Sequence, residues 1–275
     1  MVEKTIILGA GVVGLTTAYE LLKRGHQIQI IEQNNYVGGL ASSFDWHGFP
    51  CDLGPHIYHS PDQEIVKYWN TEFQELLHER KHWSNNYKNG DYFPYPISRE
   101  YLDQLPPELS KKIKNELASD NKFVDVDNFY DYMKIIAGPT LQKMFFIDYP
   151  EKLWGVSTKE LDSNWAPKRL SIREKNTPFY WGQYSAVGTE GSGSIMNALY
   201  EKVVSLGGEV SLNESIIGLS TRNEQITSIE TSSRRIEVFA NQNIVSTIPI
   251  TVLSSMLGTD CNLTFRGVII VYVLT

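Results

Sequence analysis

Within its first forty-one residues the chain strings together a β-branched run, three spaced glycines, a helical pattern and a second apolar run that ends on an acid. Residues 5–8 lead into Gly9, Gly11 and Gly14, and a helical segment spans about 13–24. Gly25 stands where a helix C-terminal glycine belongs, and residues 28–31 close on Glu32. Strand, G-x-G-x-x-G, helix, strand and acid in this order make the fingerprint of a dinucleotide-binding βαβ unit. Gly9 permits the tight turn, Gly11 lets backbone approach a pyrophosphate, and Gly14 lets helix and strand pack closely. The helix N-terminus adds unpaired N–H groups and a positive dipole end for phosphates. Glu32 follows Gly14 by 18 residues, near the roughly 20 expected of an acid that accepts from ribose hydroxyls.

A second glycine pair arrives soon after that acid, in Gly38-Gly39-Leu40-Ala41. It lays further bare backbone beside the nucleotide, which suits the longer ribityl-flavin tail of FAD better than NAD. The stretch resembles the E-x-x-x-x-x-G-G-[RL] extension of the large FAD family that includes amine oxidases, protoporphyrinogen oxidases and UDP-galactopyranose mutases. The resemblance implies FAD held by Gly9, Gly11, Val13, Gly14, Glu32, Gln33, Gly38, Gly39, Leu40 and Ala41. It further implies Ile216 beside the adenine through its backbone, and Thr247 near the cofactor.

Composition narrows the function classes. A net charge of −7 opposes a nucleic-acid partner. Two cysteines, Cys51 and Cys261, oppose a disulfide scaffold or a thiolate metal site and fit a reducing compartment. The early apolar stretch is interrupted by glycines, unlike a signal peptide. The apolar run 267–274 falls far short of the roughly 20 residues of a membrane span. The expectation is a cytoplasmic protein with no transmembrane segment and no metal; its oligomeric state is not legible.

The segment 49–60 holds Asp52, Gly54, His56 and His59 on a turn-rich stretch. His-x-x-His would suit a metal on a helix, but Pro55, Ile57 and Tyr58 oppose a helix here. The segment resembles the histidine loop of the mutases, which implies His56 against the flavin near N5. His59 reads as a loop residue.

Residues 64–79 then read as a helix, and Asn89-Gly90-Asp91 as a hairpin turn between 83–88 and 92–96. Two helices follow over 102–117 and 128–145, the latter broken at Gly138-Pro139. The stretch around Lys152-Leu-Trp-Gly155 and Leu161 to Arg173 resembles the K-x-W-G … L-x-x-x-W-x-x-x-R segment of the mutases. That resemblance implies Arg169 on a substrate diphosphate, with a catalytic part in stabilising it, and Arg173 as a second candidate. Tyr149, Trp154 and Trp165 would form the pocket wall. An arginine fork suits a pyrophosphate, and aromatic faces suit uracil and a sugar.

A Gly-rich turn over 185–193 opens a helix to about 205, and strands follow over 209–212, 216–219, 226–230, 235–240 and 243–247. The expected architecture is α/β: a Rossmann-type FAD-binding domain with an inserted helical plus β-sheet substrate domain. Its segments would be 1–80 and 185–256 for the FAD domain, 81–184 for the insertion, and 257–275 for the start of a substrate-domain sheet with a buried strand over 267–274. The resemblance implies a mutase-like isomerisation of a UDP-sugar by reduced FAD, for cell-surface polysaccharide synthesis, with NAD(P)H as flavin reductant. The alternative is an FAD-dependent oxidoreductase of the protoporphyrinogen or amine oxidase type.

Overall fold

The structure, a computed structural model, describes residues 4–88, 90–118, 125–168 and 172–274, leaving aside the side chains of 88, 165, 167 and 168. The chain divides into two compact units, one built from 1–80 and 184–275, the other from 81–183. In chain order the first unit begins with β1 (Lys4–Leu8), α1 (Val12–Lys23), β2 (Gln27–Ile31), β3 (Ser43–Trp46), β4 (Phe49–Asp52), β5 (Tyr58–Ser60), α2 (Gln63–Phe73) and β6 (Leu77–Glu79). The second unit holds β7 (Ser84–Lys88), β8 (Asp91–Tyr95), α3 (Arg99–Asp103), α4 (Pro107–Leu117), α5 (Phe129–Phe145) and α6 (Asp148–Trp154). The first unit then resumes with β9 (Tyr184–Gly188), α7 (Ser192–Ser205), β10 (Glu209–Ser211), β11 (Ile216–Arg222), β12 (Gln225–Thr231), β13 (Arg235–Glu237), β14 (Gln242–Ser246) and α8 (Ile250–Met256).

Period-two alternation decides the layering of the first unit. Strands β10, β2, β1 and β14 form a parallel sheet in that order. Ile7, Ile28 and Ile30 face one side, where Leu15 and Ala18 of α1 and Ile195, Leu199 and Val203 of α7 cover them. Ile6, Leu8 and Ile31 face the other, against Ile229 and the antiparallel meander β11-β12-β13. A strand buried on both faces is mostly apolar, as Ile6 to Leu8 of β1 are, and in β2 the buried Gln29 interrupts the run of isoleucines. The order places β2 on one side of β1 and β14 on the other, so a crevice opens beyond their carboxyl ends, where such sheets bind ligands.

In the second unit an i, i+4 stripe of Phe129, Met133, Ala137, Leu141 and Phe145 packs on Leu102 and Ile113. Asn128 caps α5 by accepting from Asp131 N at 2.9 Å. Gly138, at φ 77°, breaks its helical path, and Glu116 restarts it by accepting from Thr140 N at 2.9 Å and Thr140 Oγ1 at 2.7 Å. Strands β7 and β8 form the expected hairpin, with Lys88 opposite Asp91; Asn89 lies outside the described residues.

Several local expectations are corrected. The helix read over 64–79 ends at Phe73, and Leu77–Glu79 becomes a strand because it pairs with β9. The helix read over 102–117 is two helices, because Pro106 and Pro107 deny backbone donors between them. Residues 185–188, read as part of a turn, belong to β9, a strand between β5 and β6. The run 267–274 is not a buried strand: Val268, Ile269, Val271 and Val273 are exposed, and no partner strand pairs with it among the described residues. Apolar composition makes a strand only where another strand supplies the hydrogen bonds. Among the described residues no helix is long and apolar enough to cross a membrane.

Candidate functional site

At the carboxyl ends of β1, β2 and β14 lies a cleft of about 890 Å³, within the roughly 300–1,000 Å³ of small-ligand sites. It belongs wholly to the first unit. Its walls gather Gly9, Gly11, Val13, Glu32, Gln33, Gly38, Gly39, Leu40, Ala41, His56, Ile216 and Thr247. Gly14 lies buried in the first turn of α1 and does not line the cleft.

The three fingerprint glycines do different work. Gly9 takes φ 102°, and a Cβ there would stand 2.7 Å from Thr247 Oγ1. At Gly14 a Cβ would stand 2.0 Å from Gly9 O, so the α1–β1 approach itself demands a bare residue. Gly11 is different: a Cβ there would meet nothing within 4 Å, so the protein's own packing does not require its bareness. It caps α1 with extended backbone and no side-chain partner, leaving the first N–H groups of that helix without an intrahelical acceptor. This is the arrangement that receives a phosphate.

The second glycine pair lies against the first turn. Gly38 N donates to Ala10 O at 2.8 Å, and Gly11 and Gly38 form an isolated parallel bridge. A Cβ on Gly39 would meet only Gly11 Cα, at 3.4 Å. Leu40, 80% exposed, and Val13, 63% exposed, give the cleft an apolar rim.

Glu32 anchors the far end. It is 6% exposed, and accepts from Ala10 N at 2.8 Å, Asn34 N at 2.9 Å and Asn34 Nδ2 at 2.8 Å. Of the roughly four acceptor positions on a carboxylate, one remains, on Oε2. Thr247 Oγ1 donates to Leu8 O at 2.8 Å, tying β14 to the fingerprint turn.

Sequence reasoning passed over two other carboxylates. Glu214 lines the cleft and is 5% exposed. Burial pushes its pKa up, yet hydrogen bonds from Arg234, Thr231 and Ser233 outweigh burial and hold it at about 2. Asp52 accepts from Ser43 Oγ at 2.5 Å and from Ser192 N at 2.9 Å, and lies 4.0 Å from His56. Burial pushes the neighbouring Tyr58 phenol up to about 12, with the Asp52 charge adding to it. The signal for Asp52 was its i, i+4 spacing to His56; nothing local pointed to Glu214.

The remaining candidates lie in the second unit. Tyr149 and Trp154 stand exposed on α6, and Trp165 sits on a short 3-10 turn, Ser163–Lys168. Arg169 lies outside the described residues. Arg173 is ordered from within its own segment: Nη1 donates to Thr177 Oγ1 at 2.6 Å and Pro178 O at 2.5 Å, and Nη2 to Phe179 O at 2.7 Å. Burial lowers its pKa. His59 is exposed on β5. Among the described residues no cluster of three or more His, Cys, Asp or Glu side chains is placed to hold a metal ion.

Known proteins resemble this chain in sequence and in fold. The family model for an NAD(P)-binding Rossmann-like domain matches residues 7–71, which span both glycine turns. A probable UDP-galactopyranose mutase from Klebsiella pneumoniae is 28% identical over 184 residues, covering 62% of this chain and 46% of that protein. A dTDP-fucopyranose mutase from Escherichia coli is 27% identical over the same coverage. A 4,4'-diapophytoene desaturase from Staphylococcus haemolyticus is 48% identical over 56 residues, 20% of this chain and 11% of its own length. This chain thus spans about half the length of the curated mutases it matches. In fold it is similar to a reduced UDP-galactopyranose mutase, at a TM-score of 0.77 and 23% identity over 92% of this chain and 57% of that one. A protoporphyrinogen oxidase-like structure from Exiguobacterium gives 0.63 at 17% identity, over 93% of this chain and 61% of that one.

Proposed function

We propose that this relative of the UDP-galactopyranose mutases is the FAD-binding part of a mutase-type isomerase that interconverts ring forms of a UDP-sugar. The observation that carries the reading is the extent of the sequence match. The mutase alignment covers 62% of the chain at 28% identity, ahead of a 4,4'-diapolycopene oxygenase at 52% and 26%, whereas two desaturases match over only 56 to 59 residues. The desaturases therefore speak for the nucleotide turn, and the mutases for more of the protein.

FAD fits the residues present. Glu32 would hold the adenosine ribose, and the bare backbone of Gly11 and Gly39 admits a diphosphate to the α1 N-terminus. Ile216 and Thr247 bound the same cleft. When bound and reduced, FAD would supply a nucleophilic ring nitrogen for the anomeric carbon of the sugar. His56 lines the cleft and orients the reacting edge. Arg169 takes the substrate diphosphate, stabilising charge on the leaving UDP, with Tyr149, Trp154 and Trp165 as the sugar and base contacts. Arg173, with three internal acceptors, orders the loop that follows it. NAD(P)H is the proposed reductant, and polysaccharide synthesis the proposed use.

An anaerobic assay with dithionite-reduced, FAD-loaded protein and UDP-galactofuranose tests this, read by chromatography of the sugar nucleotides. The expected result is isomerisation with no electron acceptor consumed, abolished in Arg169→Ala. Loss of the diphosphate's charge partner should cost ~2–5 kcal/mol of UDP binding by titration calorimetry. Hydrogen peroxide formed from an amine or porphyrinogen under air, with no sugar product under reduction, would establish the oxidoreductase reading instead.

A further inference from the structure

His56 lines the cleft, yet its Nδ1 is buried and makes no hydrogen bond among the described residues. Facing it is Asp52, whose Oδ2 lies 4.0 Å from that atom. The carboxylate is fixed from behind. Its Oδ1 accepts from Ser43 Oγ at 2.5 Å and from Ser192 N at 2.9 Å, and Ser43 Oγ accepts in turn from Gly193 N at 2.7 Å. Ser192 and Gly193 open α7, a helix of 14 residues, so the Asp52 side chain sits against the N-terminal donors of that helix. The hydroxyl of Tyr272 donates to the Asp52 backbone carbonyl and holds the same residue from the other side.

We propose that Asp52 is the positioning residue of His56: Oδ2 faces Nδ1, so the neutral ring keeps its proton on Nδ1 and presents unprotonated Nε2 to the cleft. Which ring nitrogen carries the proton follows from the partner of the other. With Oδ1 committed to Ser43 and Ser192, Oδ2 is the oxygen left for the ring. His56 thereby offers an acceptor, not a donor, to a bound cofactor or substrate. The inference rests on the proposed place of His56 at the reacting edge.

Long-range proton–nitrogen NMR of histidine-labelled protein at pH 8.5 reads the tautomer directly, with the His56 signals assigned by their loss in His56→Gln. The wild type should show a protonated Nδ1 and an unprotonated Nε2. In Asp52→Asn the amide oxygen can still accept from Ser192 N, which turns the amide N–H groups toward Nδ1 and should move the proton to Nε2. The two nitrogen shifts should therefore exchange. Should Asp52→Asn not fold, Ser43→Ala, which removes one of two anchors, should mix the tautomers. A wild type protonated on Nε2, or one pattern shared by wild type and variant, overturns the proposal. FAD titration of the same samples reports separately on the flavin reading, which can fail without altering the tautomer.

Discussion

Glycines stand at the starts of two helices in this molecule, and Gly11 before α1 is bare for the opposite reason to Gly191 and Gly193 before α7. Before α1, a side chain at Gly11 would meet nothing within 4 Å. Before α7, a Cβ on Gly191 would stand 2.7 Å from Ser43 Oγ and 2.8 Å from Asp52 Oδ1, and one on Gly193 would stand 2.5 Å from Ser43 N. Each helix start leaves backbone donors that need acceptors. In α7 the acceptors are Asp52 and Ser43, brought from 140 and 150 residues away. In α1 the donors border the cleft. Glycine spacing thus announces a close approach, and only the approaching partner says whether that is ligand or protein.

The sharpest test of the contrast is Gly14→Ala, where the new Cβ would stand 2.0 Å from a backbone oxygen. It should cost ~4 kcal/mol or more, at the exceptional end of single substitutions; urea denaturation measures it, and a cost under ~1 kcal/mol would mean that α1 can simply shift. Gly193→Ala should follow at ~1–3 kcal/mol, the usual range of overpacking, with FAD affinity of the folded protein little changed. If its stability were untouched, the close docking of α7 on Ser43 would be wrong.

Gly11→Ala should invert that pattern. Thermal unfolding should stay within ~0.5 kcal/mol of wild type, while FAD affinity by fluorescence titration falls ~10-fold or more, about 1.4 kcal/mol. Unchanged affinity would remove the α1 turn from the binding site.

The smallest effect concerns Glu214, which lines the cleft yet is satisfied by protein. Its folded pKa of about 2 lies below the ordinary 4.5. The folded state therefore binds fewer protons than the unfolded one between those values. The stabilisation is complete above about 4.5 and is lost as pH falls toward about 2. Glu214→Gln should lie below wild type in stability at pH 7, and the gap should close across that window in denaturant melts. A gap independent of pH would assign the difference to packing alone.

The fingerprint was readable because each part acts over a few residues: β1, α1, β2, Gly9 at positive φ and Glu32 at the strand end all lie where short-range rules put them. The pairing of β7 with β8 and the break at Gly138 were legible for the same reason. The division of 102–117 was written in Pro106-Pro107 and passed over, outweighed by the apolar period on either side. The strand expected at 267–274 shows the limit of composition, since nothing in an apolar run names the strand that would pair with it.

By itself the sequence determined the βαβ unit, the α/β class and the chemistry a bare turn beside an acid can serve. Those rest on backbone freedom at glycine and on apolar runs buried on two faces, both local properties. The tertiary structure alone decided that β14 joins β1, so that Thr247 closes the fingerprint turn, and that Arg234 occupies Glu214. It alone set the N-terminus of α7 against Asp52 and Asp52 against His56. These are contacts between residues far apart in the chain, and a hydrogen bond's partner is chosen by the whole fold, not by the residues on either side of it.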